Sequence, residues 1–177
     1  METKATIRDC TLADAAAIAE IYNESILAGD ATMDDEPKNV NYFENLINNF
    51  TKREIILILE ASKSVIGWGI IKRYSDRSGY RFCCETAVYL SRNQVGHGYG
   101  TKIKIALIDR CKEFGYHHLV AKIFADNIKS IEYNKRLGYE IVGTQNEIGY
   151  KNNRWQDIVI MQLVLRDVPP KILDKYQ

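Results

Sequence analysis

Ile18, Ile21, Tyr22 and Ile26 recur at roughly helical spacing. They follow Thr11-Leu-Ala-Asp14, which has the form of a capping box with Asp in place of the commoner Glu. Together these predict a short first strand near residues 5–9, then a helix over residues 11–27 stopped by Gly29-Asp30-Ala31. Tyr42, Leu46, Ile47 and Phe50 predict a second helix. The pattern then becomes β-rich: residues 54–61 and 65–74 flank Ser62-Lys63-Ser64 and predict a hairpin. Residues 81–90 predict a central strand ending in the apolar run Ala87-Val88-Tyr89-Leu90. Ile103, Leu107, Cys111 and Phe114 form one stripe of an amphipathic helix, with Gly115 as its stop. A strand at 118–124, a helix at 127–137 closed by Gly138, and strands at 139–150 and 154–166 complete the order βααβββαβαββ. Such mixed order predicts an α/β (α+β mixed) fold in one domain.

Composition narrows the function. A chain of 177 residues suits one full core, and 24 Lys+Arg against 23 Asp+Glu leave a formal charge of +1 with no long basic run. Nucleic acid is therefore not an expected partner. The start METKATIRDC has no apolar signal core, and no run of about 18 apolar residues predicts a membrane span. Cys10, Cys83, Cys84 and Cys111 make no C-x-x-C pair, and no His/Cys cluster has zinc spacing. Reduced thiols, a cytoplasmic location and no metal are the expectations. With prolines only at 37, 169 and 170, one domain is expected over residues 1–166, followed by a tail at 167–177.

Chemistry first surfaces at Val95-Gly96-His97-Gly98-Tyr99-Gly100-Thr101, between a predicted strand and a predicted helix. Glycines let the main chain turn tightly and approach a ligand. A helix start offers unpaired N–H groups and the positive end of its dipole, which favours an anion such as a diphosphate. An ordinary glycine-rich turn explains the same residues. The spacing G-x-G-x-G matches neither the Walker pattern nor the G-x-G-x-x-G dinucleotide fingerprint.

The turn does resemble the acetyl-CoA turn of the GNAT superfamily, [QR]-x-x-G-x-[GA], with Val95 where Gln or Arg is usual and Gln94 one residue early. The likeness continues along nearly the whole chain. Ile21-Tyr22-Asn23 and Ala31-Thr32-Met33-Asp34-Asp35-Glu36-Pro37 resemble the opening of phosphinothricin-type acetyltransferases. Tyr80-Arg81, Glu85-Thr86-Ala87-Val88-Tyr89-Leu90, Asn127 to Ser130 and Leu137-Gly138-Tyr139 resemble their middle motifs. Gly149-Tyr-Lys151, Arg154-Trp155-Gln-Asp157 and Met161-Gln162 resemble their close.

The resemblance implies a twisted mixed sheet of about seven strands and about four helices, with strands four and five splayed to admit the pantetheine arm of acetyl-CoA. It implies a homodimer and direct acetyl transfer to a small amino-acid-like amine of the phosphinothricin, methionine sulfone or sulfoximine type. Peptide acetylation and a catalytically weak acetyl-CoA-binding protein are the alternatives, the second prompted by Val95 and Asn134.

By the same resemblance Val95, Gly96, His97, Gly98, Tyr99, Gly100 and Thr101 hold the diphosphate, although His97 also reads as a solvent-facing turn residue. Ala87, Val88, Tyr89 and Leu90 serve the arm along the strand, and an N–H near Val88 meets the thioester oxygen. Asn127 and Ser130 serve the arm too, or simply start a helix. Glu85 is the expected base for the acceptor ammonium. Asn134 stands where the family places a Tyr or His acid. Asn can donate a hydrogen bond to sulfur but no proton, so a muted or absent limb from a general acid is predicted. Tyr133 is adjacent, yet one helical residue turns a side chain by about 100°. Met33, Arg73 and Arg81 are the acceptor candidates, the arginines as a fork for a carboxylate or phosphinate.

Overall fold

In the computed structural model of the chain, which describes residues 5–169, the eleven elements follow the predicted order. β1 (Thr6–Asp9) leads through a 3₁₀ turn at Leu12–Asp14 into α1 (Ala15–Ala28). The start predicted at residue 11 is thus one tight turn before the α-helix. Its capping signal is realised: the Asp14 carboxylate accepts from the Thr11 N–H at 2.7 Å and from both Arg8 terminal nitrogens at 2.8 Å. The Arg8 guanidinium holds the Asp14 carboxyl down at about 2.

After α2 (Val40–Asn48) come β2 (Ile55–Ala61), β3 (Ser64–Arg73), β4 (Cys83–Leu90), α3 (Tyr99–Glu113), β5 (His118–Phe124), α4 (Ile128–Arg136), β6 (Glu140–Lys151) and β7 (Arg154–Val164). The strands form one seven-stranded mixed sheet in the order β1-β2-β3-β4-β5-β7-β6, antiparallel except between β4 and β5. Of the tail expected at 167–177, residues 170–177 lie outside the described residues.

Strand alternation sends side chains to two cores. Ile56, Ile58, Trp68 and Ile70 pack beneath Ala15, Ile18, Ile21 and Phe43 of α1 and α2. On the other face Leu119, Ala121, Ile123, Val159 and Met161 pack beneath Leu107, Ile108 and Cys111 of α3 and Ile131 of α4. Cys84 and Cys111 meet in that second core with sulfurs 3.6 Å apart, as free thiols.

One irregularity positions the site. β4 pairs with β3 from Cys84 to Leu90, but with β5 only at Cys83, Cys84 and Glu85. From Thr86 onward the two parallel strands diverge, so β4 carries main-chain groups with a partner strand on one side only. Polar main-chain groups in an interior need partners, so this edge suits a ligand that supplies them.

Candidate active site

The glycine turn lies at the open end of the gap. Gly96 and Gly98 have φ of 93° and 78°, and a Cβ at either would meet nothing within 4 Å. Their lack of a side chain therefore serves the left-handed turn and leaves free space over it, with no packing need. Gly98 is the N-cap of α3, no side chain caps it, and no acid occupies the first turn. The first N–H groups of this 15-residue helix thus have no side-chain cap. Val95 is exposed and apolar, and Gln94 belongs to the preceding 3₁₀ turn at Arg92–Gln94. The turn thus offers amides. His97 is exposed.

Inward from the turn the divergence of β4 and β5 opens a cavity of about 570 Å³. Glu85, Ala87, Val88 and Tyr89 of β4 line it, together with Asn127, Ser130 and Asn134 and with Met33 from the loop after α1. Leu90, Arg73 and Arg81 do not. Arg73 pairs with Asp76 at 2.9 Å and lies 4.0 Å from Glu54. Arg81 donates to the Ser78 carbonyl at 3.0 Å and stacks on Phe82 at 4.8 Å. Within one chain the expected arginine fork is not assembled. Register explains it: Arg73 lies opposite Cys84, whereas Lys72 lies opposite Glu85, and cross-strand partners share a face. The cations that reach the cavity are Lys72, Lys104 and Lys122. Lys122 Nζ binds Glu85 Oε2 at 2.8 Å, so the carboxylate has a counter-ion on β5 while remaining 24% exposed.

The loop after α1 also lines the cavity and is tied down over it. Lys151, buried on β6, donates to the Thr32 carbonyl at 2.8 Å and to the Asp34 carbonyl. Tyr22 donates to Asp34 Oδ2 at 2.6 Å and shares a 2.8 Å bond with Thr32. Met33 packs where a Cβ on Gly149 would collide with its Cε. The Gly149-Tyr-Lys151 motif therefore admits Met33 and ties down the loop that carries it.

Two helical asparagines are spoken for locally. Asn127 Oδ1 accepts from the Ser130 N–H at 3.2 Å, a cap for α4, and its amide reaches the Asp30 carbonyl at 3.5 Å. Asn134 donates to the Ser130 carbonyl at 2.8 Å, while its buried Oδ1 has no partner. Asn134 thus has a free acceptor in Oδ1, and one of its two amide N–H groups is used inside the helix.

Sequence reasoning missed Lys104. It is 2% exposed, donates from Nζ to Thr86 Oγ1 at 2.7 Å, and lies 4.7 Å from the Tyr139 ring centre. Burial pulls its ammonium down to about 8. Its spacing to Leu107, Ile108 and Cys111 is that of the buried stripe, a signal hidden by its charge.

Among the described residues no cluster of three or more His, Cys, Asp or Glu side chains could hold a metal, and no helix is long and apolar enough to cross a membrane. The family model "Acetyltransferase (GNAT) domain" matches residues 7–160. An L-methionine sulfoximine/L-methionine sulfone acetyltransferase of Pseudomonas aeruginosa is 32% identical over 163 residues, covering 91% of this chain and 95% of that one. A phosphinothricin N-acetyltransferase of Alcaligenes faecalis is 27% identical, covering 89% and 81%. The solved structure of a GNAT superfamily phosphinothricin acetyltransferase of Sinorhizobium meliloti in complex with AcCoA superimposes with a TM-score of 0.89 at 31% identity, covering 95% of this chain and 94% of that one. A family match over nearly the full length, on a sheet that opens between its fourth and fifth strands, places this chain in the GNAT acetyltransferase family.

Proposed function

We propose that the chain transfers the acetyl group of acetyl-CoA to the primary amine of a small amino-acid-like acceptor, of the methionine sulfone, methionine sulfoximine or phosphinothricin type. The observation that carries this reading is the half-paired edge of β4, which opens into a cavity lined by Glu85. Acetyl-CoA is a substrate here, consumed at each turnover. The open space above Gly96 and Gly98 and the uncapped start of α3 fit its diphosphate. The free side of Ala87, Val88 and Tyr89 fits the amides of its arm. On this reading a main-chain N–H near Val88 meets charge on the thioester oxygen.

Glu85 takes the proton of the acceptor ammonium, directly or through water, and Lys122 orients its carboxylate. Lys72, opposite Glu85 on β3, supplies positive charge for an acceptor carboxylate in place of the arginine fork. The loop at Thr32–Asp34 favours a compact acceptor over a peptide. The four free cysteines suit a cytoplasmic setting. Thiol release is the test: acetyl-CoA with methionine sulfone, methionine sulfoximine or phosphinothricin yields free CoA. Absence of release with every acceptor in the panel defeats the reading.

The same reading includes a homodimer. β6 is an edge strand, and Ile141, Val142, Ile148 and Tyr150 on it, with Trp155 on β7, are 47–60% exposed. A long apolar edge of this kind requires cover. Light scattering at micromolar concentration is expected to give twice the 20.3 kDa chain mass, and Ile148→Lys with Trp155→Lys to give the chain mass alone. A wild-type monomer rules the dimer out.

A further inference from the structure

On the acetyltransferase reading above, on which this inference rests, the coenzyme arm follows the half-paired stretch of β4 until the ladder to β5 closes at Glu85 and Val120. The arm cannot pass a closed ladder, so its sulfur stops level with Thr86, the first residue of β4 without a partner on β5. Lys104 is bonded to that residue. It stands four positions beyond Gly100 on α3, about 6 Å along the axis, and lines the same cavity.

None of the ion pairs among the described residues includes Lys104. A buried ammonium without an anion is costly, and an apolar side chain of similar length would fill the same space without that cost. During the reaction an anion forms at this place, the thiolate released as the C–S bond breaks. Asn134 cannot supply a proton to it.

The geometry points to Lys104 as the group that meets the departing sulfur, holding the thiolate by charge and giving it a proton from Nζ. The acceptor nitrogen bonds to the acetyl carbon and the C–S electron pair leaves with sulfur. Lys104 protonates that sulfur to give the CoA thiol, then regains a proton from water. Glu85 holds the proton lost by the acceptor and returns it to water. Burial draws Lys104 down to about 8, below an ordinary ammonium and towards the thiol range, which favours proton transfer to the leaving thiolate.

The groups facing Lys104 leave it the main titrating cation on this side of the sheet. Cys84 of β4 and Cys111 of α3 lie beside it, and the Glu85 carboxylate of β4 works to hold the proton on. Burial pushes the Cys84 thiol and the Tyr139 phenol up, so both stay neutral. Tyr133 of α4, also in the cavity, is pushed up by burial as well.

Lys104→Met keeps length and apolar contact. With CoA bound to the wild type, ultraviolet thiolate absorption should show the thiol titrating at lower pH than that of free CoA, and with Lys104→Met at the same or higher pH. Lys104→Met should lower kcat about 30-fold, under the usual range because a thiolate leaves tolerably by itself, with acceptor KM within about threefold. Wild-type kcat should fall as pH rises through the Lys104 titration, and the variant should lack that limb. Lys104→Arg should keep the depressed thiol titration and stay slow, since it holds its proton.

Equal thiol titration and equal kcat in wild type and Lys104→Met overturn the role. Should Lys104→Met fail to fold, the wild type decides: an undisplaced bound thiol and no high-pH limb overturn it. A wild type that neither binds CoA nor releases thiol takes down the acetyltransferase reading and this inference together.

Discussion

Glu85→Gln is expected to lower kcat with a methionine-sulfone-type acceptor about 100-fold at neutral pH, the lower end of what a general base contributes. Acetyl-CoA affinity should stay within about twofold, since on the proposed reading Glu85 removes a proton and the arm is held elsewhere. Gln has the shape of Glu and can still accept from Lys122, so the substitution removes basicity while preserving the 2.8 Å contact. A base is needed because an amino-acid ammonium carries no lone pair for attack. As pH rises, water deprotonates more of the acceptor unaided, and the deficit of the variant should shrink. Initial rates across pH, with calorimetry of acetyl-CoA binding, check both parts. A Glu85→Gln enzyme as fast as wild type at neutral pH excludes Glu85 as the base; one equally slow at every pH points to a role in acceptor placement.

The sequence made the elements legible because each has a local signature. Asp14 completes the Thr11 box, Gly29, Gly115 and Gly138 stop helices with positive φ, and Ser62 and Lys63 turn the hairpin. Part of the cavity wall was legible too, since residues 85–89 are a contiguous run. What could not be read was set by register between distant segments. The acceptor arginines look equivalent to Lys72 along the chain, and only the pairing of β3 with β4 turns Lys72 toward Glu85 and leaves Arg73 to Asp76 and Glu54. Lys122 acquires its role solely by crossing from β5 to Glu85. Lys104 was obscured for a different reason: a charged residue is assigned to the solvent face by default, although its phase with Leu107 and Cys111 places it inside. Asn134 was identified by position, but which of its amide atoms remains free depends on the bond to Ser130.

The second large effect concerns stability, and runs opposite to the effect on rate. Lys104→Met is expected to be more stable than wild type at pH 7 by about 2 kcal/mol. The ammonium is drawn from an ordinary 10.5 to about 8. At 1.36 kcal/mol per tenfold, that gap makes the charged lysine roughly 3 kcal/mol unfavourable in the fold. Losing the bond to Thr86 Oγ1 takes back about 1 kcal/mol, moderated because Tyr139 still reaches that hydroxyl at 3.2 Å. For a domain of this size the gain is about 5 °C in Tm. The pH dependence identifies the cause. Below about 8 both folded and unfolded wild type carry the proton, so the full penalty is present and the difference between the proteins is constant. Between about 8 and 10.5 the folded lysine is neutral while the unfolded one is still charged, so wild type gains on the variant as pH rises. Above that window the ionic penalty is gone and the variant's advantage with it. Denaturant titrations of both proteins at matched pH values measure the difference directly, and other titrating groups cancel. A variant less stable than wild type at pH 7, or an advantage that persists unchanged to high pH, refutes a buried charge at Lys104. A more stable, slower Lys104→Met would show that the fold tolerates this lysine at a loss of stability, in exchange for a cation where the sulfur departs.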